Sequence, residues 1–173
     1  MKQKKMIHNC CFVDGQNLHL GTKQERWHID FNKFRIYLRD KFKVDEAYYC
    51  LWFISEEEQD LYNKLQKAGF IVVFREHSSN LKGKKKGNVD VDIVFEIMRK
   101  IADHELTDKI VLVSWDGDYI KMINYLIKKD KLEKILFPNS KYSSLYKKIK
   151  HQYCMNLSMP DVKNKIRYKK EVS

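Results

Sequence analysis

The chain has 173 residues, 43% hydrophobic and 33% charged, the balance of a globular domain of ordinary size rather than of a disordered segment. The 34 Lys and Arg against 23 Asp and Glu leave a formal net charge of +11, which favours polyanionic partners through Coulomb attraction and counterion release. No apolar run reaches the roughly 20 residues of a membrane span, and "MKQKKMIHNCCFVDG" passes from charge into a run too short for a signal-peptide core, so a cytoplasmic protein with no membrane partner is expected.

Strand-like and helix-like segments alternate along the chain. "CCFV" (10–13) is a short apolar strand ending at Asp14, and "DFNKFRIYLRDKF" (30–42) follows with helical spacing. "AYYCLWFI" (47–54) is the second strand. "SEEEQDLYNKLQKAG" (55–69) then reads as a helix with Ser55 as N-cap, three glutamates in the first turn and Gly69 just past the end. "FIVVF" (70–74) is the third strand, followed by "HSSNLKGKKKGN" (77–88), a basic loop too long for a tight connection. The helix "NVDVDIVFEIMRKIAD" (88–103), the strand "KIVLVSW" (109–115), the helix "DYIKMINYLIKKD" (118–130) and the strand "KILF" (134–137) complete the alternation. A last helix is expected over "YSSLYKKIKHQY" (142–153), and residues 161–173 form a basic C-terminal tail to a domain spanning 1–160. Near-continuous apolar strands suit a sheet covered on both faces, so the class is α/β, a three-layer domain built from right-handed βαβ units.

The cysteines at 10, 11, 50 and 154 form no CxxC pair, and the histidines show neither HxxxH nor HExxH spacing, which disfavours a zinc site. Carboxylates are placed more tellingly. In an open α/β sheet, ligands bind beyond the carboxyl ends of the strands where the strand order reverses. Asp14 ends the first strand; Asp116 and Asp118, flanking Gly117 in "WDGDY", follow the fourth. In the helix after the basic loop, at about 100° per residue, Asp90 lies near the Ile93, Val94 and Ile97 face, whereas Asp92 is about 200° away and Glu96 about 240°. All three cannot point at one site; Asp90 is the first choice because Asn88 is a plausible N-cap and an acid in the first turn sits at the end of the helix where the other acids are, and Asp92 is the second. Each of these acids has a plain alternative role as helix cap or dipole partner. Converging in a basic protein, they would instead hold a hard cation, Mg²⁺ or Mn²⁺, suited to phosphodiester hydrolysis.

Three segments, "FVDGQNL" (12–18), "KGNVDVDIVFEIM" (86–98) and "SWDGDYIKMINYL" (114–126), resemble in order and placement the NYN branch of the PIN-like nucleases, including its LabA-type bacterial group. The resemblance implies a Rossmann-like, mainly parallel five-stranded sheet of order 3-2-1-4-5, an acidic pocket for one or two Mg²⁺ or Mn²⁺ ions, and ribonuclease activity. It assigns catalysis and metal binding to Asp14, Asp90, Asp116 and Asp118, and makes Asn17 an orienting or phosphate-contacting residue. Lys86, with Lys84 and Lys85 in the basic loop, would contact phosphates. Trp115 stands where the family usually has glycine, and would either narrow the pocket or stack on a base.

The expected function is thus metal-dependent hydrolysis of nucleic acid, with RNA favoured by the resemblance. The alternative is a nucleic-acid-binding or regulatory partner-binding module on the same fold with weak or no catalysis. A dinucleotide-binding role lacks GxGxxG after the first strand, and an aspartyl phosphatase would need an acid where Gln16 stands. Tyr142, Tyr146 and Tyr153 offer the aromatic surface for a possible homodimer.

Overall fold

Strand β1 (Asn9–Asp14) is buried over its whole length because it runs through the middle of the sheet, with parallel neighbours on both sides. The computed structural model describes residues 7–51, 55–74, 89–105 and 108–169. Within them, β1 is joined by β2 (Val44–Leu51), β3 (Ile71–Phe74), β4 (Ile110–Val113), β5 (Leu132–Phe137) and β6 (Cys154–Asn156), all parallel, in the order β3-β2-β1-β4-β5-β6. The sheet therefore has six strands rather than five. The additional one is three residues long and pairs Ile135 with Cys154, too short a segment to carry an apolar pattern of its own.

Helices cover both faces: α1 (Gly15–Gln24), α2 (Phe31–Phe42), α3 (Gln59–Lys67), α4 (Val89–Ala102), α5 (Ile120–Lys128) and α6 (Pro160–Ile166). Successive side chains of a strand point to opposite faces, and β1 divides accordingly. Cys11 and Val13 pack with Leu18 of α1, Phe34 and Leu38 of α2, Leu65 of α3 and Val162 and Ile166 of α6. Cys10 and Phe12 pack with Ile93 and Ile97 of α4 and Ile123 and Leu126 of α5. The chain is thus a three-layer Rossmann-like α/β domain. The connections after β1 and β4 leave toward opposite faces, which opens a crevice between the carboxyl ends of these two neighbouring strands.

The expected helix over 142–153 is instead a pair of 3₁₀ turns, Ser144–Lys148 and His151–Tyr153, leading into β6. Its aromatic residues do not form one surface: Tyr146 is 1% exposed in the core, while Tyr142 stacks on Phe137 with ring centroids 4.1 Å apart. Two helices were not legible in the sequence. Helix α1 contains Gly15 and Gly21, poor helix formers, and is started by Asp14, whose side chain caps the Asn17 N–H. Helix α6 begins with Pro160 and buries Val162 and Ile166. Residues 161–169 of the expected tail are therefore folded, docked on α2 and tied back by an Ile29–Arg167 bridge and a Tyr168 N–H bond to the His28 carbonyl. In α4 the apolar pattern does not wrap the helix: Ile93 and Ile97 are buried, but Val91 and Phe95 are each 62% exposed.

Candidate metal centre

Strand β1 delivers Asp14 to the crevice, where the side chain is 1% exposed. Both carboxylate oxygens are engaged: Oδ1 accepts the Asn17 backbone N–H at 2.9 Å, and Oδ2 accepts Asn17 Nδ2 at 2.8 Å and the Tyr119 hydroxyl at 3.1 Å. Burial pushes the Asp14 carboxyl up from 3.8 to about 6; the Asn17 N–H opposes this shift, and the charge of Asp90 adds to it.

Asn17 works from both ends. Its amide nitrogen holds Asp14, while its Oδ1 accepts the Ser114 hydroxyl at 3.2 Å and the Trp115 N–H at 3.4 Å, so one side chain ties the end of β1 to the end of β4. Beyond Ser114, whose Oγ accepts the Asp116 N–H, Asp116 caps a 3₁₀ turn (Gly117–Tyr119) by accepting the Asp118 N–H at 3.0 Å. The turn must approach the following segment closely, since a Cβ on Gly117 would lie 2.5 Å from Ser143 Oγ and 2.9 Å from Leu145 Cδ1. The buried Tyr146 hydroxyl donates to the Asp116 carbonyl and fixes the turn from below.

Three acids converge here. Asp90, buried in the first turn of α4, the half-buried Asp116 and the exposed Asp118 each offer a carboxylate oxygen, all within 4.8 Å of one another. To share one ion at the ~2.1 Å bond length Mg²⁺ prefers, these three oxygens would have to draw closer together than this spread. The donor set is hard oxygen, mounted on one buried, one partly buried and one exposed group, and it fits a divalent cation that keeps some open positions.

Asp14, expected as a fourth ligand, is not a member of this mutual cluster, and its oxygens accept hydrogen bonds from Asn17 and Tyr119. It joins the centre through Tyr119, whose hydroxyl also lies 2.7 Å from Asp90 Oδ1. Tyr119 has no solvent exposure, and burial, reinforced by the charges of Asp14 and Asp90, pushes its phenol far up. Sequence reasoning missed this residue, as it missed Ser114 and Tyr146. Their signal was only adjacency, since Ser114 and Tyr119 flank "WDGD" in the same motif.

Asp92 belongs elsewhere: it lines a separate cavity of about 490 Å³ with Cys50, Phe74, Tyr48 and Glu96, between α4 and the ends of β2 and β3. Glu96 also pairs with Arg99 at 3.2 Å. Trp115 is half-buried beside α1, its ring 3.4 Å from where a Cβ on Gly21 would sit. Lys84, Lys85 and Lys86 lie outside the described residues.

A Rossmann-like domain with acids gathered beyond the sheet at its switch point is the architecture of the PIN-like nucleases. The family model for the NYN domain matches residues 10–154, and the chain belongs to the NYN domain family. No curated protein matches it. Among solved structures, a protein of unknown function from Vibrio parahaemolyticus has a similar fold, with a TM-score of 0.63, 22% sequence identity, and coverage of 79% of this chain and 83% of that one. Among the described residues, no helix is long and apolar enough to cross a membrane.

Proposed function

We propose that the protein is a metal-dependent nuclease that hydrolyses phosphodiester bonds, with RNA as its substrate. The observation that carries this reading is the convergence of Asp90, Asp116 and Asp118 within 4.8 Å in a chain whose net charge is +11. Acids packed this closely repel one another, and a protein that only bound phosphates would bind them better without such a cluster.

Asp90, Asp116 and Asp118 hold the cation, Mg²⁺ or Mn²⁺, and Asp14 and Tyr119 set the position of Asp90. A divalent ion bound there supplies the Lewis acidity that phosphodiester hydrolysis needs. The remaining work falls to the chain's own groups. Asp118, the exposed member, faces the approaching strand and orients the attacking water. Asn17 fixes Asp14 and keeps the ends of β1 and β4 at a constant separation. Lys84, Lys85 and Lys86 bind backbone phosphates, and Trp115 provides a stacking surface at the α1 side of the crevice.

The test is cleavage of end-labelled RNA and DNA with Mg²⁺, Mn²⁺ or EDTA, comparing the wild type with Asp116→Asn. Cleavage of RNA that needs the metal and is lost in the variant is the expected result. Equal cleavage by both proteins would refute the site, and salt-sensitive binding without cleavage under any condition would favour the binding module.

A further inference from the structure

Next to the acidic crevice, on the α1–α3 side of the sheet, is a cavity of about 570 Å³, in the size range of small-ligand sites. Its edge begins at Gly15 and Gln16, the residues that directly follow Asp14. Leu18, Phe31, Tyr49 and Leu61 give it apolar and aromatic walls, and the exposed side chains of Gln16, His19, His28 and Glu58 form a polar rim.

Tyr49 is the informative member. It is 3% exposed, yet its hydroxyl makes no hydrogen bond with any described residue, although a buried phenol ordinarily finds a partner. Burial, together with the charges of Asp14 and then Glu58, pushes this phenol up, so it remains a neutral donor. Gly15 allows the ring its place, since a Cβ there would lie 2.5 Å from Tyr49 Cε1. The cavity wall therefore combines an edge-on aromatic pair, Phe31 and Tyr49 with centroids 5.8 Å apart, with a phenol hydroxyl that is not engaged by another described residue.

We propose that this cavity binds an unpaired nucleobase of the strand whose phosphate faces the acids. A nucleobase is flat and apolar on its faces and carries donors and acceptors on its edge. That matches aromatic walls, the Tyr49 hydroxyl and a rim of amide, imidazole and carboxylate groups, the means by which single-stranded RNA is read. Purely apolar ligands would leave the Tyr49 hydroxyl unsatisfied. Because the cavity starts one residue after Asp14, the seated base belongs to a nucleotide adjacent to the scissile bond. The inference rests on the nuclease reading for its ligand but not for its test.

Adenosine, guanosine, cytidine and uridine, uncharged and therefore indifferent to the basic surface, are titrated in EDTA into the ¹⁵N-labelled full chain and followed by NMR. At least one is expected to shift the resonances of Gln16, His19 and His28. Tyr49→Phe, which keeps the ring and removes one hydrogen bond, is expected to weaken that binding about fivefold. His19→Ala, at the exposed rim, provides a second weakened variant should Tyr49→Phe fold poorly. Absence of these shifts for all four nucleosides, or equal affinity in the wild type and both variants, would overturn the proposal. Nucleoside binding without RNA cleavage would sink the nuclease reading alone, and cleavage without nucleoside binding would sink the cavity assignment alone.

Discussion

The Tyr119 hydroxyl lies 2.7 Å from Oδ1 of Asp90, and the Tyr119 ring is fully buried. Because the same oxygen is 3.1 Å from Asp14 Oδ2, one phenol proton faces two carboxylates and can be given to only one of them. The second contact is favourable when the other acid carries a proton or when a cation neutralises Asp90. Tyr119→Phe leaves two buried acids facing each other without a donor between them. Its Mn²⁺ affinity is expected to fall about tenfold, the lower end of the range for groups that orient metal ligands. Calorimetric titration measures this. In a double-mutant cycle with Asp14→Asn, the losses should be less than additive, whereas independent additive losses would show that Tyr119 does not act through Asp14.

The pH dependence of folding follows from Asp14. Its carboxyl is raised from 3.8 to about 6 in the folded protein, chiefly by burial, so folding favours the protonated form. The resulting stability is fully present below 3.8 and is lost as pH rises through about 6. In EDTA this one group should lower the unfolding free energy by about 2 kcal/mol between pH 4 and pH 7. Urea titrations across that interval should show a smaller decline for Asp14→Asn; an identical decline would contradict the assignment.

Gly15→Ala places a methyl group 2.5 Å from Tyr49 Cε1 and 2.8 Å from the Cys50 carbonyl oxygen, and the second of these is backbone that cannot swing away. Overpacking of this kind costs about 1–3 kcal/mol. Since residue 15 follows Asp14 directly, the displacement should lower metal affinity as well as the urea midpoint. A variant with unchanged stability would mean that β2 yields more readily than a paired strand should.

All four cysteines are free, and Cys10, Cys11 and Cys50 are buried. Burial, assisted by the charge of Glu46, pushes the Cys10 thiol up to about 11, and burial raises Cys11 and Cys50 as well. Thiolate is the reactive species, so these three should resist iodoacetamide at pH 8 and react quickly once urea unfolds the chain. Mass spectrometry of modified peptides would reveal the order, with Cys154, in an edge strand, modified first.

Five of the strands could be read from the sequence because apolar runs such as "CCFV" and "KIVLVSW" are buried on both faces and need no alternation. Helical geometry shows that Asp90 and Asp92 cannot share one site, and Asn88 as an N-cap with Asp90 in the first turn favours Asp90; the structure puts Asp90 beside Asp116 and Asp118 while Asp92 lines another cavity. What stayed hidden depends on distant partners. Tyr119 meets Asp14 across 105 positions of chain, and nothing local to "WDGDY" shows that its hydroxyl turns inward. Helix α1 relies on Pro138 and Trp115 fitting against Gly21, and α6 on a groove beside α2, so their own residues carry weak signals. Strand β6 is recruited by the exposed edge of β5 rather than by its three-residue pattern.

Asn17 presents its nitrogen to Asp14 and its oxygen to Ser114 and Trp115, so it is read in both directions at once. Aspartate at this position would keep the shape and turn an acceptor toward an acceptor; glutamine would keep both functions one methylene too long. The aperture between the first and fourth strands is therefore gauged by the length of a single amide side chain. A change of one atom there would alter the mouth of the crevice and the hold on Asp14 without removing any acid from the chain.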